Sequence, residues 1–242
     1  MQTDESQGRL KVLGIIPARG GSKGVPRKNF KELCGVPLID YTLSVASRAE
    51  ALQKLVVSSD DQEILDYAKT KYSVEAVLRP SELATDSSPV ITAVLHTVNM
   101  LEQAGHTFDA VALLQPTSPL REPWHIDEAV RLLQDNKQAN SIISVTAMND
   151  VHPARMYWLQ EGCGLEPIQP EYEETRRQDI PPAYYRNGSI YLCRLSALRE
   201  NAAIMCKPSL GYVMSPDFLL NIDEPRDWIV AEALVKARLN VT

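Results

Sequence analysis

From residue 10 to about residue 146, short aliphatic runs alternate with longer stretches in which apolar positions recur every three or four residues. Leu10 to Pro17 reads as a strand, Leu38 to Ala49 as a helix and Lys54 to Ser58 as a strand. Helix Gln62 to Lys71, strand Glu75 to Leu78 and helix Val90 to Gln103 follow, then strand Ala110 to Leu114, helix His125 to Gln134 and strand Ser141 to Thr146. Uniformly apolar strands separated by helices belong in a parallel sheet covered on both faces. The pattern therefore predicts an α/β fold of three layers, a mostly parallel sheet with helices on both sides, forming one domain over residues 1–242.

The rhythm breaks between 150 and 182, which holds Pro153, Pro167, Pro170, Pro181 and Pro182 with mixed charge, and reads as an inserted arm. Order returns with strand Ser189 to Cys193, a short helix near Ser196 to Glu200, a strand around Gly211 to Met214 and a strand-like Phe218 to Ile222. A final helix places Trp228, Ala231, Leu234, Val235 and Leu239 on one face, which is expected to pack on the sheet.

Composition narrows the choices of partner. With 25 Lys and Arg against 31 Asp and Glu the formal charge is −6, so the protein as a whole repels a nucleic-acid backbone and any anionic ligand must meet a local basic patch. No apolar run approaches the ~20 residues of a membrane helix, and the polar N-terminus does not resemble a secretory leader, so a cytoplasmic location without membrane attachment is expected. Cys34, Cys163, Cys193 and Cys206 are widely spaced with no CxxC pair, which argues against a zinc site or a disulfide framework.

The basic patch lies directly after the first strand. From Arg19 to Lys31 the chain carries five cations and no carboxylate, with Gly20, Gly21 and Gly24 among them. Glycines let backbone N–H groups approach a ligand and cations neutralise phosphate oxygens, so a polyphosphate is the natural guest, with a solvated basic loop as the alternative. The spacing fits neither a Walker A loop, which would need Gly at Val25, nor the dinucleotide fingerprint.

The segment Ala18-Arg19-Gly20-Gly21-Ser22-Lys23-Gly24, with Lys28-Asn29, resembles the first motif of the acylneuraminate cytidylyltransferases. The likeness continues in order through Val57-Ser58-Ser59-Asp60, Leu78 to Asp86, Leu113 to Arg121, Tyr185 to Tyr191 and Ile222-Asp223-Glu224-Pro225, nearly the whole chain. It implies a Rossmann-like fold of the nucleotide-diphospho-sugar transferase type and an enzyme joining CTP to a nine-carbon 2-keto sugar acid. The acid would be of sialic, legionaminic or pseudaminic type, a nonulosonic acid, and the products CMP-sugar and pyrophosphate. By the same resemblance Mg²⁺ assists an in-line attack of the anomeric hydroxyl on the α-phosphorus. Arg19, Ser22, Lys23, Lys28 and Asn29 match its triphosphate positions, with Lys28, Arg19 and Asp223 as the catalytic set. Arg79 and the Ala84-Thr85-Asp86 turn match the segment closing over the nucleotide; Arg79 bracing the loop through Glu82 or Asp86 is the structural alternative.

Pro89 and Val90 stand where some members carry serines, which leaves ribose contacts to backbone groups or to Ser87 and Ser88. Gln115 matches a sugar-acid contact, or else caps its own rigid loop; Tyr191 either touches the sugar or belongs to the core. The arm resembles a dimerisation arm exchanged in a homodimer, through which Arg155 and Arg177 would reach the partner's sugar carboxylate; without the resemblance it is a loop with solvated arginines. Asp223 suits a Mg²⁺ ligand or a helix N-cap, and Asn221 stands where the family commonly has a second aspartate, bringing an amide oxygen without charge. Competing readings are a nucleotidyltransferase for another base or sugar acid, and a nucleotide-sugar binding module without turnover. A glycosyltransferase would need an Asp-x-Asp metal motif, which is absent.

Overall fold

A computed structural model of the chain describes residues 8–22, 24–148 and 151–239. In chain order it comprises β1 (Val12–Pro17), a two-residue-per-strand hairpin β2 (Glu32–Leu33) and β3 (Val36–Pro37), α1 (Leu38–Ala46), β4 (Leu52–Ser59) and α2 (Gln62–Tyr72). Then come β5 (Glu75–Leu78), α3 (Val90–Gln103), β6 (Ala110–Leu113), α4 (Pro123–Asp135) and β7 (Ser141–Met148). The arm forms β8 (Tyr157–Leu159) and β9 (Leu165–Pro167), and β10 (Ala183–Arg194), α5 (Leu195–Asn201), β11 (Ser209–Met214) and α6 (Pro225–Leu239) complete the chain.

Seven strands pair in the order β11-β7-β10-β6-β1-β4-β5. β6, β1, β4 and β5 run parallel, as do β11 and β7, whereas β10 is antiparallel to both neighbours. The sheet is thus mostly parallel, as the alternation predicts, with one reversed strand that no local signal announces. Period-two alternation divides its residues between two cores. Val12, Ile16, Val57, Ala112 and Leu192 meet α1, α2 and α4 on one face. Leu13, Ile15, Val56, Val111 and Cys193 meet α3 and α5 on the other.

Four expectations change. β10 starts at Ala183, six residues before the apolar run, because its first half pairs with β7 at the sheet's exposed end. Phe218 to Ile222 is not a strand: a one-turn helix at Pro216–Phe218 leads into irregular chain. Helix α6 packs not on the sheet but on a third core built with Val25, Leu33, Leu38, Leu120, Leu220 and Ile222. Only Trp228, Ala231 and Val235 of its expected face are buried, and Leu234 and Leu239 point outward. No helix among the described residues is long and apolar enough to cross a membrane.

Candidate active site

The C-terminal ends of β1, β5 and β6 open into one cavity of about 310 Å³, lined among others by Arg19, Ser22, Lys28, Asn29, Arg79 and Gln115. This is the edge at which ligands of parallel α/β sheets bind. Sequence separations of up to about 100 residues collapse here because each strand ends in the loop that carries its site residue.

The loop after β1 is anchored by its own chain. Ala18 N donates to the Ser58 carbonyl at 3.0 Å, Gly20 N to Asp60 Oδ1 at 3.0 Å and Asn29 Nδ2 to the Arg19 carbonyl at 2.9 Å. Asn29 therefore shapes the loop as well as lining the cavity. A Cβ on Gly20 would meet the Asp61 side chain at 2.9 Å, and one on Gly24 would overlap the Asp223 carbonyl oxygen, while Gly21 has nothing among the described residues within 4 Å. Two of the three glycines are thus demanded by close approach of the protein to itself. Arg27 turns away, pairing with Glu63 at 2.5 Å and with Asp61 at 3.4 Å. Lys23 lies outside the described residues.

Among the described residues three cations remain at the cavity. Arg19 pairs with Asp86 at 2.6 Å, which leaves Arg79 without the Glu82 or Asp86 partner that a bracing role requires. Arg79 is only 6% exposed, its Nε and Nη2 make no hydrogen bond, and Asp60 is 3.8 Å away. Burial pulls its pKa down, and the Arg19 charge adds to this against the pull of Asp60. Such a guanidinium is prepared for an acceptor-rich ligand. Lys28 Nζ donates to the Ile222 carbonyl at 2.6 Å and to Asp223 Oδ1 at 3.0 Å, a contact spanning 195 residues.

Asp223 does not cap α6; its own N–H and that of Glu224 donate to Asp227 Oδ2 at 2.9 and 2.8 Å. Those bonds hold the Asp227 carboxyl below the usual range. The Asp223 carboxylate is mostly exposed, shared between Lys28 and the Asn221 amide nitrogen. The other end of that amide, Oδ1, is buried without a partner and faces Gly188.

Ser88 lines the cavity, fixed by the Thr85 hydroxyl at 2.6 Å and the Glu82 carbonyl at 2.8 Å; Ser87 does not line it. Thr85, from the turn the resemblance points to, lines it too, as do Leu83 and Thr117, which it does not single out individually. Gln115 Oε1 lies 3.9 Å from where a Cβ of Gly188 would sit, beside the Ser118 hydroxyl at 3.7 Å. Gly188 has φ of +76°, accessible to glycine at no strain, in a bulge where β10 shifts register against β7. Buried Asn187 locks that bulge, accepting from Ser144 Oγ at 2.6 Å and Ser189 N at 3.1 Å.

Asp223 and Asn221 stand beside the cavity through Lys28 without lining it, and three more expected residues lie away from it. Tyr191 is 9% exposed and packed in the core against α3 and α5, where burial raises its pKa. Arg155 and Arg177 sit in one-turn helices of the arm, Pro153–Arg155 and Arg177–Asp179, exposed and away from the cavity of their own chain.

Comparison with known proteins adds independent findings. A family model described as cytidylyltransferase matches residues 13–200. The chain is 33% identical over 224 residues to N-acylneuraminate cytidylyltransferase of Escherichia coli O18:K1:H7, covering 92% of this chain and 52% of that one. The chain thus spans about half the length of that relative. It is 33% identical over 234 residues to CMP-N,N'-diacetyllegionaminic acid synthase of Legionella pneumophila, covering 94% and 97%. A solved structure, CMP:2-keto-3-deoxy-manno-octonic acid synthetase complexed with CTP, superimposes with a TM-score of 0.71 over 94% of this chain and 99% of the other. At 16% identity that likeness speaks to the fold alone.

Proposed function

The chain belongs to the cytidylyltransferase family, and from that premise we propose that it transfers the cytidylyl group of CTP to the anomeric hydroxyl of a nonulosonic acid. The observation that carries the reading is the buried Arg79, two of whose nitrogens make no hydrogen bond among the described residues, converging with Arg19 and Lys28 on one cavity. In the reaction the anomeric oxygen loses its proton and bonds to the α-phosphorus. The bond from that phosphorus to the bridging oxygen breaks, and pyrophosphate leaves. Arg19, Ser22 and Lys28 stabilise the negative charge that builds on the departing phosphates. Lys28 exchanges its Asp223 partner for phosphate oxygens as the triphosphate enters, since a flexible ammonium follows the charge. Arg79 and the Thr85–Ser88 turn hold the nucleoside, and Gln115 faces the sugar acid.

A divalent cation, Mg²⁺ on the chemistry of the donors, fits beside Asp223. One hard carboxylate completed by substrate phosphates is a usual Mg²⁺ arrangement. When bound it would neutralise phosphate charge. Asn221, with its nitrogen on Asp223, acts as the brace that aims this carboxylate.

The enzyme works as a homodimer through the arm. Trp158, Leu159 and Leu165 on the β8–β9 hairpin are 62%, 74% and 64% exposed, an apolar surface that a second copy would cover. Arg155 and Arg177 are carried on the same arm, out of reach of their own cavity, and would serve the neighbour's sugar carboxylate. The deciding experiment measures Mg²⁺-dependent pyrophosphate release with each of the four nucleoside triphosphates against a panel of sialic, legionaminic, pseudaminic and octulosonic acids. Turnover with CTP and one nonulosonic acid is expected; CTP binding without release from any acid would favour a binding module instead.

A further inference from the structure

Arg121 is among the largest fully enclosed side chains, 2% exposed, and burial alone, with no charged partner opposing it, pulls its pKa down to about 9. Its donors go to neutral acceptors. Nε donates to the Ser189 carbonyl at 2.9 Å, Nη2 to the Gln115 carbonyl at 2.8 Å and Nη1 to the Thr42 hydroxyl at 3.5 Å. A hydrophobic residue of similar volume would avoid the desolvation of a buried charge. What it would lack is a planar fork able to hold two carbonyls at a fixed separation.

Those carbonyls sit where the sheet opens. β6 and β10 are paired up to Leu113 and Tyr191; beyond that pair β6 gives way to the Gln115 loop and β10 to the Asn187–Ser189 bulge. Arg121 stands in for the missing ladder, bonding one segment through Gln115 and the other through Ser189. The edge it supports is polar and unsatisfied: the hydroxyls of Thr117, Ser118 and Ser189 and Oδ1 of Asn221 are buried without hydrogen-bond partners among the described residues. Buried polar groups left this way ask for a ligand rich in hydroxyl and carboxylate oxygens.

We propose that Arg121 is the positioning residue of the acceptor half of the site: it sets the spacing between the Gln115 loop and the Gly188 turn, against which the sugar acid docks, without touching substrate. The proposal rests on the functional reading above for the identity of the docked ligand.

The test uses the full chain with Arg121→Met, Arg121→Lys and Arg121→Gly, the last with and without added guanidinium. Arg121→Met should raise KM for the sugar acid about 10-fold or more while KM for CTP changes less than about 2-fold, the pattern of misplaced groups on one side of a site. Arg121→Lys should resemble Arg121→Met, since a point charge cannot span both carbonyls. Guanidinium should lower the sugar-acid KM of Arg121→Gly where sodium at equal ionic strength does not. Hydrogen exchange supplies a readout free of turnover. In Arg121→Met the amides of 114–120 and 187–190 should exchange faster together, with those of 18–30 unchanged.

Parallel rises in both KM values, loss of protection across the whole chain or in only one of the two segments, or full activity of Arg121→Lys would overturn the proposal. A wild-type enzyme that releases no pyrophosphate with any acid would overturn the functional reading, and paired loosening of the two segments would still establish the positioning role.

Discussion

Replacing Gly24 with alanine tests whether the basic loop and the C-terminal segment form one machine. A Cβ there would overlap the Asp223 carbonyl oxygen and sit 3.2 Å from its carbonyl carbon. Carbon contacts settle at ~3.5–4.0 Å, so the loop and residue 223 must separate by on the order of 1 Å. Lys28 bridges the same gap, with bonds of 2.6 Å to Ile222 and 3.0 Å to Asp223, and neither survives that displacement. Overpacking costs about 1–3 kcal/mol of stability, equivalent to a melting temperature about 2–4 °C lower per kcal/mol in a chain of this size. A 1 Å misplacement of charge-stabilising groups lowers turnover about 100-fold. Gly21→Ala is the control for stability: nothing among the described residues lies within 4 Å and its backbone is not left-handed, so its folding should be unaffected, or gain about 0.4–1 kcal/mol from a less flexible unfolded chain. Pyrophosphate release and thermal unfolding of both variants read the contrast. A Gly24→Ala enzyme with wild-type kcat, or an equal fall in melting temperature in the two variants, would refute the reasoning.

Arg79→Met should weaken CTP binding about 10- to 100-fold, the worth of charge-assisted hydrogen bonds, yet leave the melting temperature unchanged or higher, because it removes a desolvated guanidinium compensated only by a long 3.8 Å contact with Asp60; calorimetric CTP titration beside thermal scans checks both. Asp40 is buried and accepts from Tyr67 at 2.7 Å, Tyr72 at 2.8 Å and Lys71 at 2.9 Å. Burial pushes its carboxyl up, but those bonds outweigh burial and hold it below its usual range. Folding thus lowers this pKa, so the contribution is complete above the unfolded value of about 3.9 and fades as pH falls through the lower folded one. Asp40→Asn should lose about 2 kcal/mol at neutral pH, a deficit that shrinks in urea titrations carried out progressively below pH 4. Mixing inactive Lys28→Ala with inactive Arg177→Ala protomers should restore part of the activity if arms are exchanged; complete silence in a mixture shown to form hybrid dimers would remove Arg177 from the neighbour's site.

The order of strands and helices was legible because parallel strands buried on two faces must read as apolar runs, and helices packed on them must repeat their apolar positions every three to four residues. The cationic character of the first loop was equally local, five cations and three glycines after one strand. Local pattern misleads where burial comes from distant chain. Phe218 to Ile222 is apolar because it roofs the third core, and α6 buries Trp228, Ala231 and Val235 against the β2–β3 hairpin instead of the sheet, which turns Leu234 and Leu239 outward. Tyr191 could be assigned to sugar or core only once its side of β10 was known.

The sequence by itself determined the layered α/β class and the cation- and glycine-rich loop at the end of the first strand, since each follows from periodicity or charge within a few dozen residues. Only the tertiary structure decided that β10 runs backward between β6 and β7, that Lys28 meets Asp223 across 195 residues, that Gly24 exists to let them meet, and that Arg121 ties two strands where their ladder ends. These are contacts between segments far apart in the chain, and no local spacing encodes which pairs the packed sheet will bring together.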